Sequence, residues 1–136
     1  MYIEPTEINT HMNDGQIMSI SEGDLTKLHT AIQAAITEVR GYLADRYDID
    51  AEFAKTADDR NSLLVLYVKD IAVWHFVNLA NVNTSLELRA KRRDDAIKVL
   101  ESVHKGNFNM LLPQLEDENK QAVITYHSNE KRENHY

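Results

Sequence analysis

The sequence has no cysteine and is poor in residues that break helices, with four glycines and two prolines in 136 residues. The lack of cysteine excludes disulfide bonds, zinc sites built on thiolates and thiol catalysis. No apolar run approaches the roughly 20 residues that cross a bilayer, and the start of the chain has neither the basic flank nor the apolar stretch of a secretory signal. We therefore expect a soluble cytosolic protein without membrane segments.

The charge balance is acidic, because 15 Lys and Arg are opposed by 22 Asp and Glu, which gives a formal net charge of −7. A negative protein is a poor candidate for general coating of nucleic acid, although a local basic patch is compatible with it. The hydrophobic fraction of 43% is ordinary for a globular protein, and the length suits one domain. The sequence predicts a domain over residues 1–115 and a C-terminal tail over residues 116–136.

The strongest periodicity lies between Leu25 and Leu43, where apolar residues recur every three or four positions. This spacing places them on one face of a helix, which we expect to run to about Tyr47. Asp24 or Ser21 is expected to cap the start of this helix, since a short side-chain oxygen accepts a hydrogen bond from a free N–H of the first turn.

Two further long helices are predicted. The one that starts near Arg60 is apolar on several faces over residues 63–79, which is typical of the central helix of a bundle. The next helix, capped by Thr84 or Ser85 and ended by Gly106, has a thin apolar stripe and should pack on one side only.

The two ends of the chain are less regular. Thr6–Met18 has enough apolar residues for a short helix, whereas the tail is mostly polar and only Ala122–Tyr126 within it has β-like content. The predicted fold class is all-α: a small bundle of three main helices plus a short N-terminal helix, with an extended or partly disordered C-terminal tail.

No catalytic or metal-binding pattern stands out in the sequence. The six histidines include no pair at i, i+4, and neither of the glycine-rich phosphate-binding motifs is present. The carboxylates at Asp58–Asp59 and Asp94–Asp95 are sequence neighbours, which point in different directions on a helix. We expect no enzymatic activity, no cofactor and no metal, and we interpret His75 as a buried neutral residue with a hydrogen-bond partner.

Charges of opposite sign concentrate on different elements. The densest cluster, Arg89–Lys98, is most simply a solvated helix face with the pairs Glu87–Lys91 and Asp94–Lys98, and it lacks the aromatic residues typical of nucleic-acid contact. The stretch before Lys27 contains acidic residues and no Lys or Arg. An acidic end and a basic helix favour head-to-tail contact between copies, for which the subunit-interface candidates are Arg89, Arg92, Arg93, Glu4 and Glu7.

Three segments carry a family resemblance. They are Gly41-Tyr42-Leu43-Ala44-Asp45-Arg46-Tyr47, then Val68-Lys69-Asp70-Ile71-Ala72-Val73-Trp74, and the spaced residues Arg89, Arg93, Ala96, Leu100 and Gly106. With them, residues 1–112 resemble the small helical head-tail connector, or adaptor, proteins of tailed phages, including the Mu-like prophage group. The family usually has prolines in the connection after the Arg-Tyr pair, whereas Asp48–Thr56 has none.

The resemblance implies a structural protein of the virion that is made in the cytoplasm of the bacterial host. Its copies would assemble as a ring, commonly of twelve, beneath the portal protein and would contact a downstream connector or tail protein. DNA would pass through the channel without sequence-specific binding, and no membrane would be involved. We expect the free protein to be monomeric, and we expect the tail to dock on the portal through Val123, Ile124 and Tyr126.

One alternative belongs to another class. A small helical regulatory module would bind one protein partner, or it would bind DNA through the Arg89–Lys98 face. Portal, capsid and tail genes beside the gene for this chain would favour the connector, whereas a regulatory gene arrangement would favour the module.

Overall fold

The computed structural model describes residues 1–80 and 86–116. Over these residues the chain is helical and has no strand, and its single β-type contact is an isolated antiparallel bridge between Tyr47 and Gln114. The all-α prediction is confirmed. In chain order the elements are a 3-10 helix at Pro5–Thr10, α1 at Asp14–Ser21, α2 at Thr26–Leu43, α3 at Ile49–Phe53, a second 3-10 helix at Ala57–Asp59, α4 at Ser62–Leu79 and α5 at Glu87–His104.

Helix α2 follows from its apolar period, and one face of it is buried along its whole length. The N-cap position of α2 is Leu25, which has no side-chain cap, so neither predicted residue occupies it. Asp24, one residue earlier, accepts hydrogen bonds from the backbone N–H of Thr26 at 3.0 Å and from its hydroxyl at 2.6 Å. The helix ends at Leu43, earlier than the predicted Tyr47. The reason is that the chain turns there and Tyr47 bridges to Gln114.

Helix α4 is buried on several of its faces, as its apolar residues predict. The Asn61 side chain caps its start by accepting a hydrogen bond from the N–H of Leu64 at 3.0 Å. By length and composition alone α4 is long and apolar enough to cross a membrane. The core helix of a soluble protein meets the same two criteria. In this fold α4 packs against both α2 and α5.

Helix α5 packs on one side only, through a thin stripe of buried residues at Ala96, Leu100 and Val103. The described helix begins at Glu87, and the predicted caps Thr84 and Ser85 lie outside the described residues. Just after its end, Gly106 has a φ of 84°, the left-handed conformation expected of a residue that ends a helix.

The segment after α5 folds back along the bundle, which the sequence did not predict. The N–H of Asp48 donates to the carbonyl of Pro113 at 2.9 Å, and the Tyr47 hydroxyl donates to Asn109 at 2.7 Å. Met110 and Leu112 are buried in the same core as the long helices. The tail candidates Val123, Ile124 and Tyr126 lie outside the described residues.

Two glycine substitutions test this account of the helices. A Cβ on Gly106 would lie 2.9 Å from Arg46 Nη1, and its positive φ is unfavourable for alanine, so we expect Gly106→Ala to lower the free energy of unfolding by about 1–2 kcal/mol. Gly41 lies inside α2 with open space around it, so Gly41→Ala should raise that free energy by about 0.5–1 kcal/mol. Urea denaturation of both variants measures the difference. Equal effects of the two changes would contradict the left-handed helix end.

Candidate assembly surface

Residues 2–12 form an N-terminal strap that crosses the start of α4. Arg60 is the main anchor of this strap: its guanidinium donates to the Glu7 carboxylate at 2.6 and 3.0 Å and to the Tyr2 carbonyl at 2.7 Å. The hydrogen bond from Arg60 lowers the pKa of Glu7, and the same contact raises the pKa of Arg60. A bidentate contact of this kind fixes the orientation of the strap and keeps the Glu7 carboxylate ionised.

Glu52 on α3 is fully buried and gathers three donors. One carboxylate oxygen accepts from the Tyr2 hydroxyl at 2.7 Å and from the N–H of Asn61 at 2.6 Å, and the other lies 3.0 Å from Lys55 Nζ. Burial alone would raise the pKa of Glu52, but these three contacts outweigh burial and lower it. Burial and the same Glu52 contact raise the pKa of Tyr2, so its hydroxyl stays a donor.

A second group of polar side chains lies beneath the far end of the strap. Lys69 Nζ donates to the Thr10 hydroxyl at 3.2 Å, and burial lowers the pKa of this lysine. His11 Nε2 lies 3.1 Å from Asp70 Oδ1, both side chains being at least nine-tenths buried, but neither of these atoms has a hydrogen bond. The strap is therefore held to α4 by charged groups at both of its ends.

The arginines predicted for a subunit interface lie on the first half of α5. Arg89 donates to the carbonyl of His11 at 2.8 Å, and this hydrogen bond helps to fix the strap. Burial lowers the pKa of Arg89. Arg92 is 46% exposed and has only a 3.9 Å contact with Asp70. Of these two, Arg92 is the one that the fold of its own chain uses less.

Arg93 forms a smaller cluster with α2 and α4. Its guanidinium lies 3.6 Å from Glu38, and Glu38 lies 3.5 Å from His75 Nε2. Arg93 also reaches Asp94 at 3.4 Å. His75 is only partly buried and has a carboxylate neighbour, so the structure places it at the rim of the core instead of inside it.

The acidic candidates differ in their surroundings. Glu7 is bound to Arg60, whereas Glu4 is exposed and pairs with the N-terminal amine of Met1 at 3.1 Å.

On α5 the expected pairs Glu87–Lys91 and Asp94–Lys98 are not found. The described α5 has instead a Lys91–Asp95 pair at 3.0 Å, so the pairing runs from base to acid along the chain.

Two grooves flank α5. The larger, of about 720 Å³, lies between α1 and the start of α5 and is lined by residues that include Met12, Ile20, Val77, Leu86, Leu88 and Arg89. The smaller, of about 300 Å³, is called here the α4–α5 groove and is lined by Tyr67, Lys98, Val99, Ser102, Asn107 and Phe108. Within residues 1–80 and 86–116, no group of three or more His, Asp or Glu side chains could hold a metal ion.

Sequence reasoning missed the anchors of the strap, Glu52, Arg60 and Tyr2. The only signal available was indirect: Lys69 and Asp70 are charged residues inside an otherwise apolar helix, where a partner is required. The positions of these partners depend on how the strap crosses α4, and no local spacing encodes that crossing.

Glu52→Gln tests the strap. The amide cannot accept the same charge-assisted hydrogen bonds, so at neutral pH we expect a loss of about 1–3 kcal/mol in the free energy of unfolding. Because the folded-state pKa of Glu52 is lowered, its stabilisation is fully present above the ordinary glutamate pKa and is lost as the pH falls from there through the lowered folded-state pKa. The deficit of Glu52→Gln should therefore shrink in acid.

The control is Glu101→Gln, the same change at an exposed position of α5. Chemical denaturation at neutral and at acidic pH compares the two variants with the unaltered chain. A deficit for Glu52→Gln that is equal at both pH values would contradict a charged Glu52.

A model of a known protein family matches this chain. The family model described as Bacteriophage Mu, Gp36 matches residues 2–126, nearly the whole chain. No curated protein and no solved structure matches the chain significantly. The match crosses the domain boundary predicted at residue 115, and it takes in Val123, Ile124 and Tyr126 but not the last ten residues. From the strap at Tyr2 to the middle of the tail, this phage protein belongs to the Bacteriophage Mu Gp36 family.

Proposed function

We propose that this protein is a head-tail connector, which assembles as a ring beneath the portal and extends the DNA channel. The observation that carries the proposal is that side chains at the start of α5 are exposed and are little used by the fold of their own chain. Arg92 is 46% exposed, and Leu88, which lines the larger groove, is 59% exposed. Exposed arginine and leucine around a groove are typical of a surface that meets another protein.

The partner surface we propose is the acidic end of a neighbouring copy. Residues before Lys27 contain no Lys or Arg, and Glu4 among them is exposed. Glu7 already binds Arg60, so Glu4 is the better placed of the two acidic candidates. A head-to-tail contact between two different surfaces of one chain closes into a ring when its rotation permits. Twelve copies is the number that the family resemblance implies.

The C-terminal tail is proposed to dock on the portal. The family match continues to residue 126, which supports a shared role for Val123, Ile124 and Tyr126. The protein would act in the virion after its synthesis in the host, with a downstream connector or tail protein on the other side of the ring. DNA would pass its channel without sequence-specific contacts, and neither a cofactor nor catalysis enters this role.

Charge reversal tests the ring contact. Arg92→Glu removes a cation that has only one long contact within its own chain, so the monomer should keep its stability while ring formation weakens at least about tenfold. Lys27→Glu, an exposed lysine on α2, is the matched control and should assemble normally. Electron microscopy of each variant mixed with the portal counts the rings at two salt concentrations. Rings of Arg92→Glu that form as readily as those of the control would contradict this interface.

The tail is tested separately. Val123→Ser, Ile124→Ser and Tyr126→Ser combined should weaken binding to the portal at least about tenfold, because three apolar contacts are lost. Lys131→Ser with Arg132→Ser changes the tail beyond the family match and serves as the control. Binding is measured by titration of immobilised portal. Unchanged binding of the triple variant, or of a chain that ends at residue 115, would remove the docking role.

A further inference from the structure

Phe108, which lines the α4–α5 groove, is one of three exposed apolar side chains that lie outside the surface proposed for the ring. Leu66 is 44% exposed, Phe108 is 43% exposed and Leu111 is 79% exposed. Leu66 precedes Tyr67, which lines the groove, and Leu111 follows Phe108 by three residues. An exposed aromatic side chain in a groove that Tyr67 and Val99 also line is typical of a surface that another segment covers.

We propose that in the free protein this groove is covered by the chain's own segment Ala122–Tyr126. The first argument is reach. Ile124 lies eight residues after Glu116, the last described residue, and Phe108 lies eight residues before it. Eight extended residues span up to about 28 Å, so the segment can return along the distance that separates Glu116 from the groove.

The second argument is chemical fit. The segment is apolar at Ala122, Val123, Ile124 and Tyr126. The groove is also apolar or aromatic, at Tyr67, Val99 and Phe108. Lys98 lines the same groove, and residues 117–121, which lead from Glu116 to the apolar segment, contain Asp117, Glu118 and Lys120 and are net acidic. Charge therefore favours an approach past this lysine.

The third argument concerns competition from a second copy. A segment tethered by about six residues has an effective concentration in the millimolar range at its own groove. A second copy at micromolar concentration is at a large disadvantage for the same surface. The family match ends at residue 126, so the segment that covers the groove falls inside the shared part of the chain.

Whether the segment covers the groove is independent of portal binding. It can be measured on the isolated protein as the accessibility of a thiol in the groove. The chain has no cysteine, so Ser102→Cys places a single thiol in the α4–α5 groove. If the segment covers the groove about 80% of the time, removing it should raise the rate of thiol labelling about fivefold. The full-length variants are Ser102→Cys combined either with Val123→Ser, Ile124→Ser and Tyr126→Ser, or with the control pair Lys131→Ser and Arg132→Ser.

A second experiment identifies the occupant. Ser102→Cys with Ile124→Cys should form a disulfide within one chain on mild oxidation, since a disulfide requires Cα atoms within about 7 Å. Ser102→Cys with Lys131→Cys is the control and should remain reduced. A cross-link between two chains would assign the groove to a second copy and overturn the proposal. Equal labelling rates in the triple variant and its control would overturn it too, whatever the outcome at the portal.

Discussion

Arg60 is the residue on which the arrangement of the N-terminal strap depends. Its guanidinium group donates to Tyr2 and Glu7 of the strap and, at 2.7 Å, to the carbonyl of Ala57. One side chain therefore joins the strap to the second 3-10 helix, in the connection before α4. The side chain is only 13% exposed, and a buried cation is stable only when acceptors surround it. Those acceptors fix the strap, and the strap then covers the core.

The strap and the bundle are stabilised in different ways. The contact between α2 and α4 is made of apolar side chains, whose free energy depends on area and tolerates small shifts. The strap is held by directed contacts to Glu52, Arg60 and Lys69, which lose most of their value when one partner moves. The strap also buries Ile3, Ile8 and Met12 in the core, so its directed polar contacts fix the position of a segment that apolar burial helps to attach. This division explains why charged residues occur inside an otherwise apolar α4.

The same division sets how much could be predicted from the sequence. The three long helices were predictable because α2 and α5 repeat apolar residues with a helical period and α4 is apolar on several faces. Asp24 bonds the first N–H of α2, but the cap position itself is Leu25. The return of residues 109–114 along Tyr47 was not predictable, since it depends on contacts between residues far apart in the chain. The charge pattern predicted a subunit interface on α5, and that assignment stays a prediction. The pattern did not show that Arg89 and Arg93 are engaged within the chain while Arg92 is more nearly free.

The end of the described chain shows where the fold exposes an apolar residue at a cost. Met110 and Leu112 are buried, whereas Leu111 between them is turned outward with a φ of 60°. A left-handed conformation costs a residue such as leucine about 1–2 kcal/mol, and here Asn109 accepts a hydrogen bond from the N–H of Leu111 while Asn61 donates to the carbonyl of Met110. A polar residue, asparagine above all, would adopt this conformation at lower cost. Burial of Leu111 in a contact would return part of the free energy that the backbone has lost, whereas an asparagine at this position would gain nothing from such a contact.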